Sequence, residues 1–280
     1  MKNPILKFFL ILFLAGLFWL VLRSKGVAPI RAGEYIGVVE IKGPIRSSDT
    51  IVNWIRKLRK DSNVKAILLR INSPGGSVGP TQEILDALKR TREAGKPIVA
   101  SFASVAASGG YYVSLAADKI VSNPGTVTGS IGVIAEFPIV DDLLKRLGVE
   151  FEIIKTGKYK DSGTPFRKME KDEREVIQNI LSDIYEQFVE EVSRSRGLDI
   201  DSVKKLADGR IFSGRMAFRA GLVDTLGSFE DAVDILKKLA GIKGDPRLLY
   251  RKSRRRFSLV DLLIDRMENK LLFEILYQMK

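Results

Sequence analysis

From Tyr35 onward, short β-branched and aliphatic runs alternate with segments whose apolar residues recur at helical spacing. The runs at 36–41 (IGVVEI), 66–71 (AILLRI), 98–102 (IVASF), 119–121 and 131–134 predict strands. Helices are predicted between them at 50–59, 80–93, 110–116 and 140–147. A further strand-like run at 149–154 (VEFEII) precedes a long helical pattern over 171–194. There Val176, Ile177, Ile180, Ile184, Phe188 and Val192 fall near one face. Shorter helices are expected at 200–207, 214–220 and 229–239. Strands alternating with helices in this way indicate an α/β core with a mainly parallel sheet. No internal repeat of 20–50 residues is visible.

The two ends follow other patterns. Ile5 to Leu22 reads ILKFFLILFLAGLFWLVL, interrupted only by Lys7, whose stem can snorkel to an interface. At 1.5 Å per residue the stretch just spans a hydrocarbon core of about 30 Å. It exceeds a usual signal-peptide core, and no small-x-small cleavage site follows Leu22. An uncleaved transmembrane helix is therefore expected, with residues 1–33 forming anchor and tether and residues 34–241 the main folded domain. Lys2 and Lys7 on one side face Arg23, Lys25 and Arg31 on the other, so charge alone leaves the orientation open. Residues 242–280 read as a basic amphipathic tail. Arg251, Lys252 and Arg254 to Arg256 precede Leu259, Leu262, Leu263, Met267, Leu271 and Ile275 at helical spacing. Packing on the core or a neighbouring subunit, lying on an anionic membrane, and occupying the protein's own groove all stay open for it.

Composition narrows the chemistry. With 45% hydrophobic and 29% charged residues the chain can build a core. It contains no Cys and no His, which excludes disulfides, thiolate nucleophiles, His-based triads and almost every transition-metal site. No metal or cofactor is expected. The net charge of +12 gathers near the two ends, without an RNA- or DNA-binding signature, and so suggests a membrane surface rather than nucleic acid.

Three clusters can carry chemistry. The strand at 66–71 runs into Asn72-Ser73-Pro74-Gly75-Gly76-Ser77, where a Gly-Gly turn can aim backbone N–H groups at an anion. It could equally be a plain left-handed turn. The strand at 98–102 leads to Ala106-Ala107-Ser108-Gly109-Gly110-Tyr111-Tyr112, which suits an exposed nucleophilic serine, or merely a helix cap. Without His, a neutral lysine can act as base. At a pKa of ~10.4 only about one lysine in 2,500 is neutral at pH 7, so such a site must favour the neutral form by ~4–5 kcal/mol through burial and a neutral partner. Lys155-Thr156-Gly157-Lys158-Tyr159-Lys160-Asp161 holds the candidates, and the residues alone do not choose among its three lysines.

Together with Ala116-Ala117-Asp118-Lys119-Ile120 and Thr128-Gly129-Ser130-Ile131-Gly132-Val133, these motifs make the chain from about Glu34 to Gly241 resemble the signal peptide peptidase A family of S49-type serine proteases, in its short bacterial form. The resemblance implies a ClpP/crotonase-like α/β fold and a Ser–Lys dyad. Ser108 would be nucleophile, Lys160 general base, and Ser130 the hydroxyl that orients the lysine. An oxyanion hole would fall on Gly75, Gly76 and Gly109. It further implies a ring-like homo-oligomer, probably an octamer, with Ser and Lys of one site drawn from neighbouring subunits. The protease domain would lie outside the cytoplasmic membrane, and the substrates would be remnant signal peptides and other hydrophobic peptides. Val78, Val133 and Phe137 are candidate groove walls. A crotonase-like acyl-CoA enzyme would share the Gly-Gly turn but need neither the anchor nor the Ser108/Lys160 pair. A non-catalytic membrane scaffold would keep the fold and leave Ser108 unreactive.

Overall fold

The computed structural model describes residues 34–251, together with Phe13. The expected membrane span from Ile5 to Leu22 and the expected helix at 257–277 lie outside these residues. Among the described residues no helix is long and apolar enough to cross a membrane. The chain divides into Met1–Leu249 and Tyr250–Lys280, and every element below belongs to the first unit.

Three long strands form the centre: β1 (Tyr35–Lys42), β2 (Val64–Ser73) and β3 (Ile98–Ala107). They pair in parallel in the order β3-β2-β1, which crossover connections make possible. The crossovers are α1 (Asp49–Lys60) and α2 (Val78–Glu93). Both faces of these strands are covered, so their sequences are nearly continuous in apolar residues rather than alternating. One face, carrying Val39, Ile41, Ile67, Leu69, Ile71, Ala100 and Phe102, belongs to the larger core cluster. The other, carrying Ile36, Val38, Ala66, Leu68 and Val99, packs with Ala232, Val233 and Leu236 of a C-terminal helix.

After β3 come α3 (Gly109–Ser114), β4 (Lys119–Ser122) and β5 (Val127–Gly129). β3 splits its edge between two partners, pairing with β4 through Val99 to Ser101 and with β5 through Val105 to Ala107. α4 (Asp141–Arg146) lies in an exposed arm. It is followed by the 26-residue α5 (Lys171–Arg196), then α6 (Ile200–Leu206), β6 (Ile211–Ser213), α7 (Gly214–Arg219) and β7 (Thr225–Leu226). α8 (Phe229–Ala240) and β8 (Arg247–Leu249) close the unit. The main path through the sheet runs β6-β5-β3-β2-β1-β8, with β4 joining β3 to β7. Only the β5–β6 pairing is antiparallel among those described.

Two expected strands are absent. The run at 131–134 is irregular, because the strand ends before it at Gly129 and the chain turns at Ser130 with φ of 50°. The run at 149–154 is also irregular and exposed, with Ile154 92% accessible. Its apolar residues find no partner strand within the described residues.

Candidate active site

Ala107 at the end of β3 sits opposite Gly129 at the end of β5. The next residue of each strand is a serine, and the Ser108 N–H donates to the Gly129 carbonyl at 2.8 Å. Ser108 adopts φ 52°, ψ −123°, and Ser130 a φ of 50°. Among the described residues these are the two non-glycine positions with positive φ. An L-residue there costs of order 1–3 kcal/mol and persists only where its surroundings enforce it. The Ser130 N–H donates to the Arg210 carbonyl at 2.8 Å, so the β6 approach fixes the second turn as β5 fixes the first.

The Gly-Gly turn meets Ser108 from the other side. A Cβ on Gly75 would lie 2.7 Å from the Gly109 nitrogen and 2.9 Å from the Ser108 Cβ, and Gly75 itself has φ of +105°. Only glycine satisfies both the approach and the conformation. A Cβ on Gly109 would in turn lie 3.3 Å from the Gly76 nitrogen. The turn is fixed by Ser73, whose buried hydroxyl accepts the Gly75 N–H at 3.1 Å, and by a bridge from Ile45 to Gly76. Gly109 opens α3, where N–H groups lack intrahelical acceptors. Gly75 thus crowds against Ser108 and Gly109, Gly76 packs on the Ile45 backbone, and Gly76 and Gly109 line the same cavity as Ser108.

Two cavities open at Ser108. One, of about 110 Å³, is walled by Val78, Tyr112, Val133, Ile134, Ile184 and Phe188, with Thr81, Gln82, Gly76 and Gly109 beside the serine. Tyr112 and Phe188 meet edge to face at 4.9 Å, which ties α3 to α5. The second, about 500 Å³, is lined by both Ser108 and Ser130 and by Gln178, Ser182, Tyr185 and Asp208. Val78 and Val133 are therefore at the serine, whereas Phe137 lines a separate cavity with Arg167 and Arg174. Ile184 and Phe188 are walls that the sequence marked only as one face of a helix. Their spacing predicts an apolar face, not what it meets; Phe188 is buried and Ile184 half-buried.

Lys160 is exposed in a run of turns between the arm and α5, where its backbone N–H donates to the Gly157 carbonyl at 3.1 Å. It lines neither cavity at Ser108. No hydrogen bond joins its amine to Ser108 or Ser130 among the described residues. Its neighbours are engaged. Lys155 pairs with Asp161, and Lys158 with Asp172, whose hydrogen bond raises the lysine's pKa and holds it charged. Lys160 has no such carboxylate partner among the described residues. The tertiary partners thus distinguish three lysines that the sequence presents as equivalent. Among the described residues no cluster of acidic side chains could hold a metal.

The description "Clp protease" matches residues 37–124, and "Peptidase family S49" matches residues 90–243. A protein of Synechocystis sp. named as a putative protease is 42% identical over 211 residues, covering 75% of this chain and 76% of its own length. An Enterococcus faecium protein named as a putative signal peptide peptidase SppA is 42% identical over 184 residues, covering 66% of this chain and 54% of its own. The chloroplastic serine protease SPPA of Arabidopsis thaliana is 34% identical over 245 residues, 85% of this chain but 36% of its own. The chain thus spans about half of the second relative and about a third of the third. Fold and likeness together define a serine protease on a ClpP-like α/β core. The chain belongs to peptidase family S49.

Proposed function

We propose that this chain is a membrane-anchored endopeptidase that cleaves remnant signal peptides and other apolar peptides with a Ser108–Lys160 dyad. The observation that carries the reading is the pair of strained serines at the ends of adjacent strands, opening on one cavity. A peptide carbonyl set against Ser108 would have its oxygen near the N–H groups of Gly76 and Gly109. Neutral Lys160 takes the Ser108 proton as Oγ attacks the carbonyl carbon. The same ammonium returns the proton to the leaving amine, and an acyl-enzyme on Ser108 remains for water to hydrolyse. Ser130 accepts or donates a hydrogen bond at the amine and so keeps it aimed.

The lysine comes from a second copy of the chain in a ring-like homo-oligomer, an octamer by family resemblance. Support lies in the exposure of Lys160 and in the arm before it. There Ile134, Ile139, Leu143, Leu147, Phe151 and Ile154 are all exposed, and clustered apolar exposure of this kind marks interaction surfaces. The apolar walls of the 110 Å³ cavity suit the side chains of leftover signal peptides, which partition to the membrane where Ile5 to Leu22 would hold the enzyme. The domain would then work on the extracytoplasmic side.

The test is cleavage of a hydrophobic signal peptide by wild type, Ser108→Ala and Lys160→Ala across pH 6 to 10. Loss of activity in both variants is expected, with a wild-type acid limb well below the ~10.4 of a free lysine. Full activity in Ser108→Ala would remove the nucleophile. A folded, assembled wild type that cleaves nothing would favour the scaffold.

A further inference from the structure

Lys160 owes its place to the loop that carries it, and one side chain ties the residue next to it to the start of α5. The Arg167 Nε donates to Asp161 at 2.9 Å, and its two terminal nitrogens donate to the two oxygens of Glu173 at 2.7 and 2.5 Å. Asp161 is the residue after Lys160. Glu173 is the third residue of α5 and only 2% exposed. Its carboxylate also accepts the Glu170 N–H at 2.8 Å in a capping box and the Ser162 hydroxyl at 3.0 Å. One planar guanidinium therefore joins the side chain of the residue after Lys160 to the first turn of the helix whose later residues, Ile184 and Phe188, wall the cavity at Ser108.

We propose that Arg167 is a positioning residue for Lys160. This inference rests on the Ser108–Lys160 reading. A lysine side chain has four rotatable bonds, so an amine delivered to another subunit is placed only as well as its backbone is fixed. Misplacement by about 1 Å costs about 10²-fold in rate. Lys158 also ties the loop to α5 through Asp172, and Lys155 stays within the loop on Asp161 and the Lys158 carbonyl, but each amine is a point charge that meets a single carboxylate. Arg167 spans two carboxylates at once, and a fork of rigid donors sets angle as well as distance. It leaves the amine of Lys160 itself unengaged, as an exported base requires.

The experiment compares wild type, Arg167→Met, Arg167→Lys and Lys160→Ala as full chains. It measures kcat and KM on an internally quenched peptide of leucine and alanine, with each kcat expressed per mass of oligomer found by light scattering. Arg167→Met should assemble normally, lose about 30-fold or more in kcat, and change KM by less than about threefold. Arg167→Lys reaches only one carboxylate at a time and should recover part of that loss. The inference fails if the Arg167→Met oligomer keeps kcat within about threefold of wild type. It also fails if the loss falls on KM or on assembly alone, or if Arg167→Lys is no better than Arg167→Met. Lys160→Ala separates the two claims. An active Lys160→Ala sinks the dyad, whereas an inactive Lys160→Ala beside a fully active Arg167→Met sinks only the positioning role.

Discussion

Ser108 and Ser130 each take the first step beyond a paired strand end, Ala107 against Gly129, and both do so with positive φ. The pairing of β3 with β5 therefore fixes the separation of the two serines, and strain at both is held by hydrogen bonds from neighbouring turns. If that strain is stored for function, its relief should stabilise the protein. Ser108→Gly removes the Cβ that makes φ of 52° costly. It should abolish cleavage while raising the melting temperature by about 2–4 °C, for about 1 kcal/mol in a domain of this size. Ser108→Ala, which keeps the Cβ, should gain nothing. Equal melting temperatures for the two variants would show that Ser108 carries no strain.

Gly75 invites the opposite experiment. Gly75→Ala places a methyl 2.7 Å from the Gly109 nitrogen and 2.9 Å from the Ser108 Cβ, on a backbone at φ +105°. It should cost about 10²-fold or more in kcat, the scale of a lost oxyanion donor. Gly95→Ala is the control, at φ +84° with open space around it. It should cost stability alone, of order 1 kcal/mol. If both variants keep full activity, the approach of Gly75 to Gly109 does not shape the reaction.

Much of the central sheet is legible in the sequence because β1, β2 and β3 are buried on both faces and their apolar runs are long. Of the peripheral strands only β4 is, from the run at 119–121. β5 is Val-Thr-Gly, and β6, β7 and β8 have three, two and three residues, too few to form a pattern. Apolarity misleads at 131–134 and 149–154, where the first follows a strained turn and the second faces outward. The glycines at the Ser108 turn can be suspected from their order, but their contact across two loops depends on the register of β2 and β3. That Lys155 and Lys158 are paired with carboxylates depends on the positions of Asp161 and Asp172, which only the folded loop provides. The positive φ of Ser130 leaves no trace in the sequence around it.

Substrate choice should follow the small cavity. Ile184 projects from α5 into about 110 Å³ beside Ser108. Ile184→Phe fills that space, so peptides with leucine at the cleavage position should lose about 10-fold or more in kcat/KM while those with alanine change little. One or two buried methylenes are worth about 1–3 kcal/mol in such a pocket. Equal losses for both peptides would place the binding of the cleaved residue elsewhere.

Acid should loosen the Lys160 loop before it unfolds the core, and Glu173 sets the range. Its hydrogen bonds from Arg167 hold its pKa down to about 2, against an ordinary ~4.3. A depressed carboxylate stabilises the fold fully above its unfolded value and loses that contribution as pH falls through its folded value. The contribution of Glu173 is therefore complete above about pH 4.3 and is lost toward pH 2. Asp208, held down to about 2 by Arg210, titrates in the same range but is exposed and screened by solvent, so it should contribute less. Glu173→Gln should melt below wild type at pH 7, and the gap should narrow steadily from pH 4.5 to 2.5. Thermal melts followed by circular dichroism over that interval decide the matter. Parallel curves for the two proteins would mean that the ionised Glu173–Arg167 pair adds nothing to the stability of this loop.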